Sequence, residues 1–446
     1  MASIDMPSPI SRLIPLAVAT LIVHGVAGGA ELLTLDKGIE LALAQNPDAR
    51  LADHRIAAAR AALREANSAF WPKVQFRPSY VGTDNPASVF MSAINQREFT
   101  PGLDFNHPPT VDHLNVKGTV SVPLYHGGRM VAGREAATAM TEAARRNADA
   151  VRNRLAFEVS RAWFSILKTR EFIQSAEASV KSFESNLSIA QKRRRAGNLL
   201  KAETLDVEVK LAEAREGLVR AQNARALAER ALRNLLGIDR GELKISNEVP
   251  RIEMPSGRDF SQRSELQAAD QRIHAARAGL RGARGGHRPK VNGFASLDYD
   301  TGWRFGGSGK SWTIGMALEW DIFDGHRTDA KVDSARARLD SAIEMERKIR
   351  LMIDLEVEQA SLKLGESSQR LEVTEKAIDL ATESRDLTRI RFQEGAALST
   401  QLINAETALT AARVRRAEAG ADRRIAAAAL RQALGLPQIP KTPTTP

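Results

Sequence analysis

The sequence predicts a mainly α protein with a small β part, built from a helix-strand-strand-helix-helix unit that occurs twice. Three observations lead there. Pro123 to Leu236 maps onto Asp321 to Leu434 at a constant offset of 198 residues. No proline lies between Pro123 and Pro250, or between Pro289 and Pro437. At the start of each mapped stretch, a short segment alternates apolar and polar residues.

The duplication is visible residue by residue. Leu124-Tyr125-His126-Gly127-Gly128-Arg129 faces Ile322-Phe323-Asp324-Gly325-His326-Arg327, and Arg193…Gly197 faces Arg391…Gly395. Upstream the offset becomes 217: Arg55-Ile56-Ala57-Ala58-Ala59-Arg60-Ala61 matches Arg272-Ile273-His274-Ala275-Ala276-Arg277-Ala278, and Pro72-Lys73-Val74 matches Pro289-Lys290-Val291. The first copy therefore carries 19 additional residues between positions 74 and 123. A repeat this long sets the architecture. The chain divides into a leader (1–30), a first repeat (31–238), a linker (239–262), a second repeat (263–436) and a Pro/Thr-rich tail (437–446) expected to be disordered.

The leader reads as a secretory signal, with Arg12 before an apolar run from Leu13 to Val26 and small residues Ala27-Gly28-Gly29-Ala30 after it. A proline-free helix over 48–71 then opens the first copy. Next come the strands. Leu114, Val116, Gly118, Val120, Val122 and Leu124 alternate with Asn115, Lys117, Thr119, Ser121 and Pro123. In the second copy Trp312, Ile314, Met316, Leu318, Trp320 and Ile322 alternate with Thr313, Gly315, Ala317, Glu319 and Asp321. Period two over this length predicts strands with one apolar and one polar face. Their weaker partners are Val74, Phe76 and Tyr80, and Val291, Ala295, Leu297 and Tyr299, giving hairpins over 73–124 and 290–323 with loops at Pro86–Pro109 and Thr301–Ser311.

The long helices follow. Val159, Ala162, Ile166, Thr169, Ile173, Ala176, Val180 and Phe183 step by three and four, as do Val357, Ala360, Leu364, Ser367, Leu371, Thr374, Ile378 and Ala381. That seam is a coiled-coil signal with small residues for close approach. Residues 129–196 make a rod of roughly 100 Å at 1.5 Å per residue. Gly197 and Gly395 interrupt the two rods, so each copy ends in a helical hairpin with its tip there.

Composition narrows the function. Cysteine is absent, which excludes disulfides, thiol chemistry and an N-terminal lipid on a mature cysteine. The net charge of +10 is spread among acidic residues along helical faces, without a basic stripe interleaved with aromatics, so nucleic acid is not a partner. No segment after the leader is apolar enough for a spanning helix, so membrane insertion has to come from the strands. Apolar-out, polar-in strands of about ten residues are the signature of a transmembrane barrel. Trp312 and Trp320 lie on one face, about 26 Å apart at 3.3 Å per residue, which places them as aromatics of two membrane girdles. Four strands cannot close in lipid, whereas three chains sharing twelve strands leave room for a pore.

These features together resemble the TolC-like outer-membrane efflux family, from about Leu35 to Leu436. The matching elements are Asn46-Pro47 opening the first helix, Ala57-Ala58-Ala59-Arg60, and the Phe323-Asp324-Gly325-His326-Arg327 turn. At the tip they are Arg391-Phe392-Gln393-Glu394-Gly395 followed by Leu402, Ala405 and Leu409. The resemblance implies a homotrimeric duct in the cell outer membrane with porin activity. A shared twelve-stranded β-barrel meets outer-membrane lipid, and a long α-helical tunnel crosses the periplasm. The implied partners are a periplasmic adaptor (membrane fusion protein) and an inner-membrane transporter of the RND or ABC type. The implied activity is passive conduction in efflux or type I secretion, with no catalysis and no cofactor.

In the family, aspartate rings at +6 and +9 from the second-copy glycine close the periplasmic entrance. Here those positions are Gln401 and Asn404, while the first copy has Glu203 and Asp206 at the same offsets from Gly197. The expectation is an acidic entrance moved to the first copy. Phe392 falls where the family often has a gate-locking aromatic, with Arg391 beside it.

Other motifs carry no site. Gly306-Gly307-Ser308-Gly309-Lys310-Ser311 resembles part of a phosphate-binding loop, but Arg304 stands where a glycine is required and a strand follows. The histidines lack ligand spacing on a common helix face, so no metal site is assigned. The alternative to a duct is a soluble periplasmic coiled-coil adaptor or scaffold. It would have one central helical hairpin flanked by β-rich modules, whereas each copy here has its own hairpin and strand pair.

Overall fold

The computed structural model describes residues 32–438, apart from 103, 105, 240–243, 247, 251 and 256. The leader (1–30) and residues 439–446 of the tail lie outside the described residues. In chain order the elements are α1 (Leu35–Gln45), α2 (Pro47–Ser68), β1 (Lys73–Thr83), α3 (Pro86–Asn95), β2 (Val111–His126), α4 (Arg129–Arg195) and α5 (Lys201–Leu236). The second half holds α6 (Ser264–Arg284), β3 (Lys290–Thr301), β4 (Ser308–Glu319), α7 (Arg327–Gln393) and α8 (Ser399–Ala433).

Both rods, α4 and α7, are 67 residues long, as the shared offset requires. The seams lie inward: Val159, Ile166, Thr169 and Phe183 on α4, and Val357, Ala360 and Ser367 on α7, are buried. Each rod pairs with the helix after its tip, α4 with α5 and α7 with α8. At Trp163, Phe164 and Ile166 a compact core forms with Leu35, Ile39, Leu232 and Leu236.

The shorter helices complete the rods. Helix α2 abuts the C-terminus of α5, and α6 abuts that of α8, so each hairpin gains a second strut along the upper part of its rod. Asn46 forms the first joint. Its Nδ2 donates to the Leu235 carbonyl (2.9 Å), and its Oδ1 accepts from Asp48 N (2.7 Å), capping α2. Arg263 forms the second, donating to the carbonyls of Gln432 (3.1 Å) and Ala433 (3.0 Å) while paired with Glu265 and Glu356. In both joints, a polar group bridges orphan carbonyls of one helix to the start of the next.

The strands form one antiparallel sheet in the order β1-β2-β3-β4. The register aligns Phe76 with Gly118, Gly118 with Leu297 and Leu297 with Trp312; it also aligns Val74 with Val120, Val120 with Ala295 and Ala295 with Ile314. The paired apolar residues of the alternating series therefore share one face, and Phe76, Leu297, Trp312, Ile314 and Met316 on it are exposed. The opposite face carries Asn115, Lys117, Asp298 and Asp300, joined by Asn115 Nδ2 to Asp300 Oδ1 (2.8 Å) and Lys117 Nζ to Asp298 Oδ2 (3.3 Å). Among the described residues no helix is long and apolar enough to cross a membrane.

Four features depart from the sequence reading. Helix α1 precedes Asn46, where no element was expected. The first hairpin loop is not irregular throughout, since 86–95 form α3, capped by Asn85 Oδ1 accepting from Ser88 N (3.1 Å). The last strand ends at Glu319, so Trp320 and Ile322 lie beyond it. There the chain turns to enter α7, and Asp324 Oδ2 accepts from the Thr328 hydroxyl (2.6 Å) and backbone N–H (3.1 Å). That hydroxyl bond, with the N–H bond and nearby Arg327, holds the Asp324 carboxyl below its ordinary range. Finally, the start of the tail is held: Arg431 Nε donates to the Pro437 carbonyl (2.8 Å), and Gln438 is buried against Ala428.

The joints make a stability prediction. Gly237 sits at φ +71°, and a Cβ there would lie 2.8 Å from the Gln45 carbonyl oxygen. Gly197 has φ +79° but open space around it. Gly237→Ala is expected to cost about 2–4 kcal/mol, combining left-handed strain with a backbone clash, and Gly197→Ala about 1–2 kcal/mol. Thermal unfolding followed by circular dichroism in detergent checks this. Equal losses would refute the close joint.

Candidate functional site at the helical tip

At the tip the two hairpins meet. Helix α4 runs out at Ala196, Gly197 (φ +79°) reverses the chain, and α5 starts after Leu200; α7, Gly395 (φ +85°), Leu398 and α8 repeat the arrangement. Both glycines occupy the left-handed region that ends a helix. One apolar cluster is shared: Phe183, Ala190, Val207 and Leu211 from the first copy pack with Phe392, Ala397, Leu402 and Ile403 from the second.

Glu203 and Gln401 serve the same local purpose. Each is the third residue of its helix, and its side chain accepts from the N-cap backbone N–H: Leu200 N to Glu203 Oε2 (3.1 Å), Leu398 N to Gln401 Oε1 (3.2 Å). This is half of a capping box, in which an amide works as well as a carboxylate. Three residues on, Asp206 and Asn404 are exposed, and neither makes a hydrogen bond or ion pair among the described residues. The structure thus separates the pairs: the +6 residues are helix caps, and the +9 residues are exposed.

Arg391 and Phe392 also separate. Arg391 is exposed and Nη2 reaches the Ala396 carbonyl (3.4 Å), closing its own turn. Phe392 is fully buried, and Arg193 lies over its ring at 4.9 Å. Arg193 also donates to the Phe392 carbonyl (2.7 Å) and to the Asn198 carbonyl (3.1 Å). One guanidinium therefore closes the first-copy turn and ties it to the second copy. Sequence reasoning singled out Arg391 but not Arg193, although the offset of 198 makes them counterparts.

A second feature missed from sequence lies two turns into α8. Glu406 is 3 % exposed and accepts from Ser182 Oγ (2.6 Å) and Asn186 Nδ2 (3.0 Å) on α4, with Arg385 of α7 at 3.9 Å. Three helices converge on this carboxylate. Its signal was available, since Glu406 stands between buried Leu402 and Leu409 at seam spacing, where a charge requires partners. Its counterpart in the first copy, Glu208, is exposed.

At the other end, Trp312 is on the apolar face of β4, and Trp320 lies just beyond the strand with its indole N–H donating to the His287 carbonyl (3.0 Å). Trp71 and Phe323 are exposed beside the helical end of the sheet, and Trp303 at the loop end, edge-on to Tyr80 at 5.9 Å.

An exposed apolar sheet face mounted on rods of 67 residues has the form of a protein whose strands enter a membrane. The sequence matches the profile of the Outer membrane efflux protein family over residues 38–238 and 260–436, and the chain belongs to that family. It is 24 % identical over 390 residues to the cation efflux system protein CusC of Escherichia coli, covering 84 % of this chain and 80 % of that protein. To the protein CyaE of Bordetella pertussis it is 25 % identical over 424 residues, covering 90 % and 84 %. Its fold aligns with crystal structures of CusC at a TM-score of 0.80 (19 % identity, 90 % and 92 % covered). For VceC from Vibrio cholerae the TM-score is 0.77 (19 % identity, 91 % and 97 % covered). The protein is an outer-membrane efflux channel that extends into the periplasm, a transport duct and not an enzyme.

The Glu406 cluster makes the second prediction. Glu406→Ala leaves Ser182 and Asn186 without their acceptor and removes the more distant ion pair with Arg385, and is expected to destabilise the protein by about 2–3 kcal/mol. Glu208→Ala at the exposed counterpart is expected to stay within about 0.5 kcal/mol. Matched unfolding curves compare the two; similar losses would remove any special role for the buried carboxylate.

Proposed function

We propose that three copies of this chain assemble into one duct, with twelve strands sharing a β-barrel and the helices continuing as a periplasmic tunnel. The observation that carries this reading is the open sheet: β1 and β4 are unpaired edges, and one whole face is apolar. Unpaired backbone groups are not tolerated in hydrocarbon, and an edge is satisfied only by another edge. Two chains would give eight strands, a barrel filled by its own side chains, whereas three leave a pore. Leu355, Leu362, Val373, Leu380 and Leu387 form an exposed stripe along α7, which supports contact with a neighbouring chain over the length of the rod.

The apolar face, with Trp71, Trp303, Trp312 and Trp320 near its two ends, meets outer-membrane lipid. At the tip, Leu200 and Leu398 are exposed in equivalent places beside exposed Lys192, Arg194 and Arg195. That surface suits docking by a periplasmic adaptor, a membrane fusion protein that couples the duct to an inner-membrane transporter of the RND or ABC type. Metal cations are the first cargo to test, because the relative CusC is named a cation efflux system protein. Transport through the duct is passive, with energy supplied by the pump.

Asp206 is the acidic residue that lines the entrance in this reading, since the Glu203 carboxylate is engaged in capping α5. Two measurements test the proposal. Unheated electrophoresis of the outer-membrane fraction is expected to show a trimer, and recovery as a soluble monomer would sink it. In planar bilayers Asp206→Asn is expected to lower the preference for cations several-fold, while Glu203→Gln keeps the cap and changes selectivity little. Unchanged selectivity in Asp206→Asn would remove the acidic lining from the first copy.

A further inference from the structure

The 19 residues that distinguish the two copies fold inward rather than away from the sheet. Gln96, at the end of α3, is fully buried, with Nε2 3.2 Å from His113 Nδ1; the other ring nitrogen, His113 Nε2, lies 2.9 Å from Asp300 Oδ1. His113 and Asp300 belong to the polar face, since each alternates with apolar neighbours that point the other way. Arg97 Nη2 donates to the Lys310 carbonyl (3.1 Å), and a Cβ on Gly309, the β4 partner of Asp300, would overlap the Asn95 carbonyl oxygen. The polar face is therefore covered by the end of α3 at the hairpin-loop end of the sheet, away from the helices.

Helix α3 is uncharged and presents two different sides. Val89, Ser92, Ala93 and Gln96, at helical spacing, are buried toward their own sheet. Phe90, Met91 and Ile94 are exposed on the other side, beside exposed Phe99, which stands edge-on to Phe90 at 5.7 Å. No charged residue occurs in Pro86–Asn95. An uncharged helix with an exposed apolar side calls for a partner there, and this one projects over the face that the proposed barrel turns inward, where no lipid can cover it.

We infer that the exposed side of α3 docks against α3 of the other two copies, forming an apolar plug across the outward mouth of the barrel. The inference rests on the three-chain barrel proposed above. That barrel turns the polar faces toward a common axis, so the three helices converge there. Continuity with the closed sheet and the lack of charge on α3 select a second copy as the occupant.

The native chain contains no cysteine, so single cysteines report proximity cleanly. Met91→Cys in the full chain, treated in outer-membrane vesicles with a short bis-maleimide, is expected to give cross-linked dimers on denaturing electrophoresis. One cysteine per chain can be bridged only once, so the limit is one dimer and one monomer per trimer. Ile314→Cys, on the lipid-facing side, is expected to remain monomeric. Ile94→Cys repeats the test if Met91→Cys fails to assemble, and unheated electrophoresis reports assembly separately. A trimer in which neither Met91→Cys nor Ile94→Cys cross-links would overturn the plug and leave the duct standing. Failure of the unmodified chain to run as a trimer would overturn both.

Discussion

A sheet edge in hydrocarbon has nowhere to place its backbone hydrogen bonds, and much of this protein follows from that constraint. One chain supplies four strands, an apolar outer face and two open edges. Among the described residues neither edge strand carries a bulge, a device that proteins with permanent free edges use. The proposed trimer makes the sheet a segment of a larger closed barrel, and the exposed apolar stripe on α7 extends the same incompleteness down the rods. In the proposed trimer this incompleteness of the single chain is a functional property, because closure by other copies would create the pore.

The rods raise a second problem, which is how to hold helices of 67 residues without a globular core. The structure solves it by joining shorter helices end to end. Asn46 and Arg263 carry the two joints with different chemistry, one through an amide that also caps α2, the other through a guanidinium neutralised by Glu265 and Glu356. Each joint lines up helix dipoles head to tail and satisfies carbonyls that would otherwise be orphaned. Packing between rods then relies on small residues along the seam, with bulky side chains concentrated near Trp163 and at the tip.

Differences between the copies include both ends of the molecule. At the tip, Arg193 reaches across to Phe392, whereas its counterpart Arg391 serves only its own turn. Glu406 is buried among three helices, whereas Glu208 is exposed. At the mouth, only the first hairpin carries α3. The backbone repeat runs through the middle as two rods of equal length, although there too the side chains diverge: Trp163 and Phe164 are buried, while their counterparts are Ser361 and the exposed Leu362.

Much of this was legible in the sequence. The offset of 198, the proline-free runs and the alternating strands determined the repeat, the equal length of the rods and the two faces of the sheet, because periodicity and backbone restriction are local properties. Gly197 and Gly395 marked the tips for the same reason. The sequence did not reveal that Glu203 and Gln401 are caps, that Arg193 covers Phe392, or that the loop insertion turns inward as α3. Those facts depend on which side chains meet across separate helices and strands. That is a matter of distance in space, and it was decided only when the two copies packed against each other.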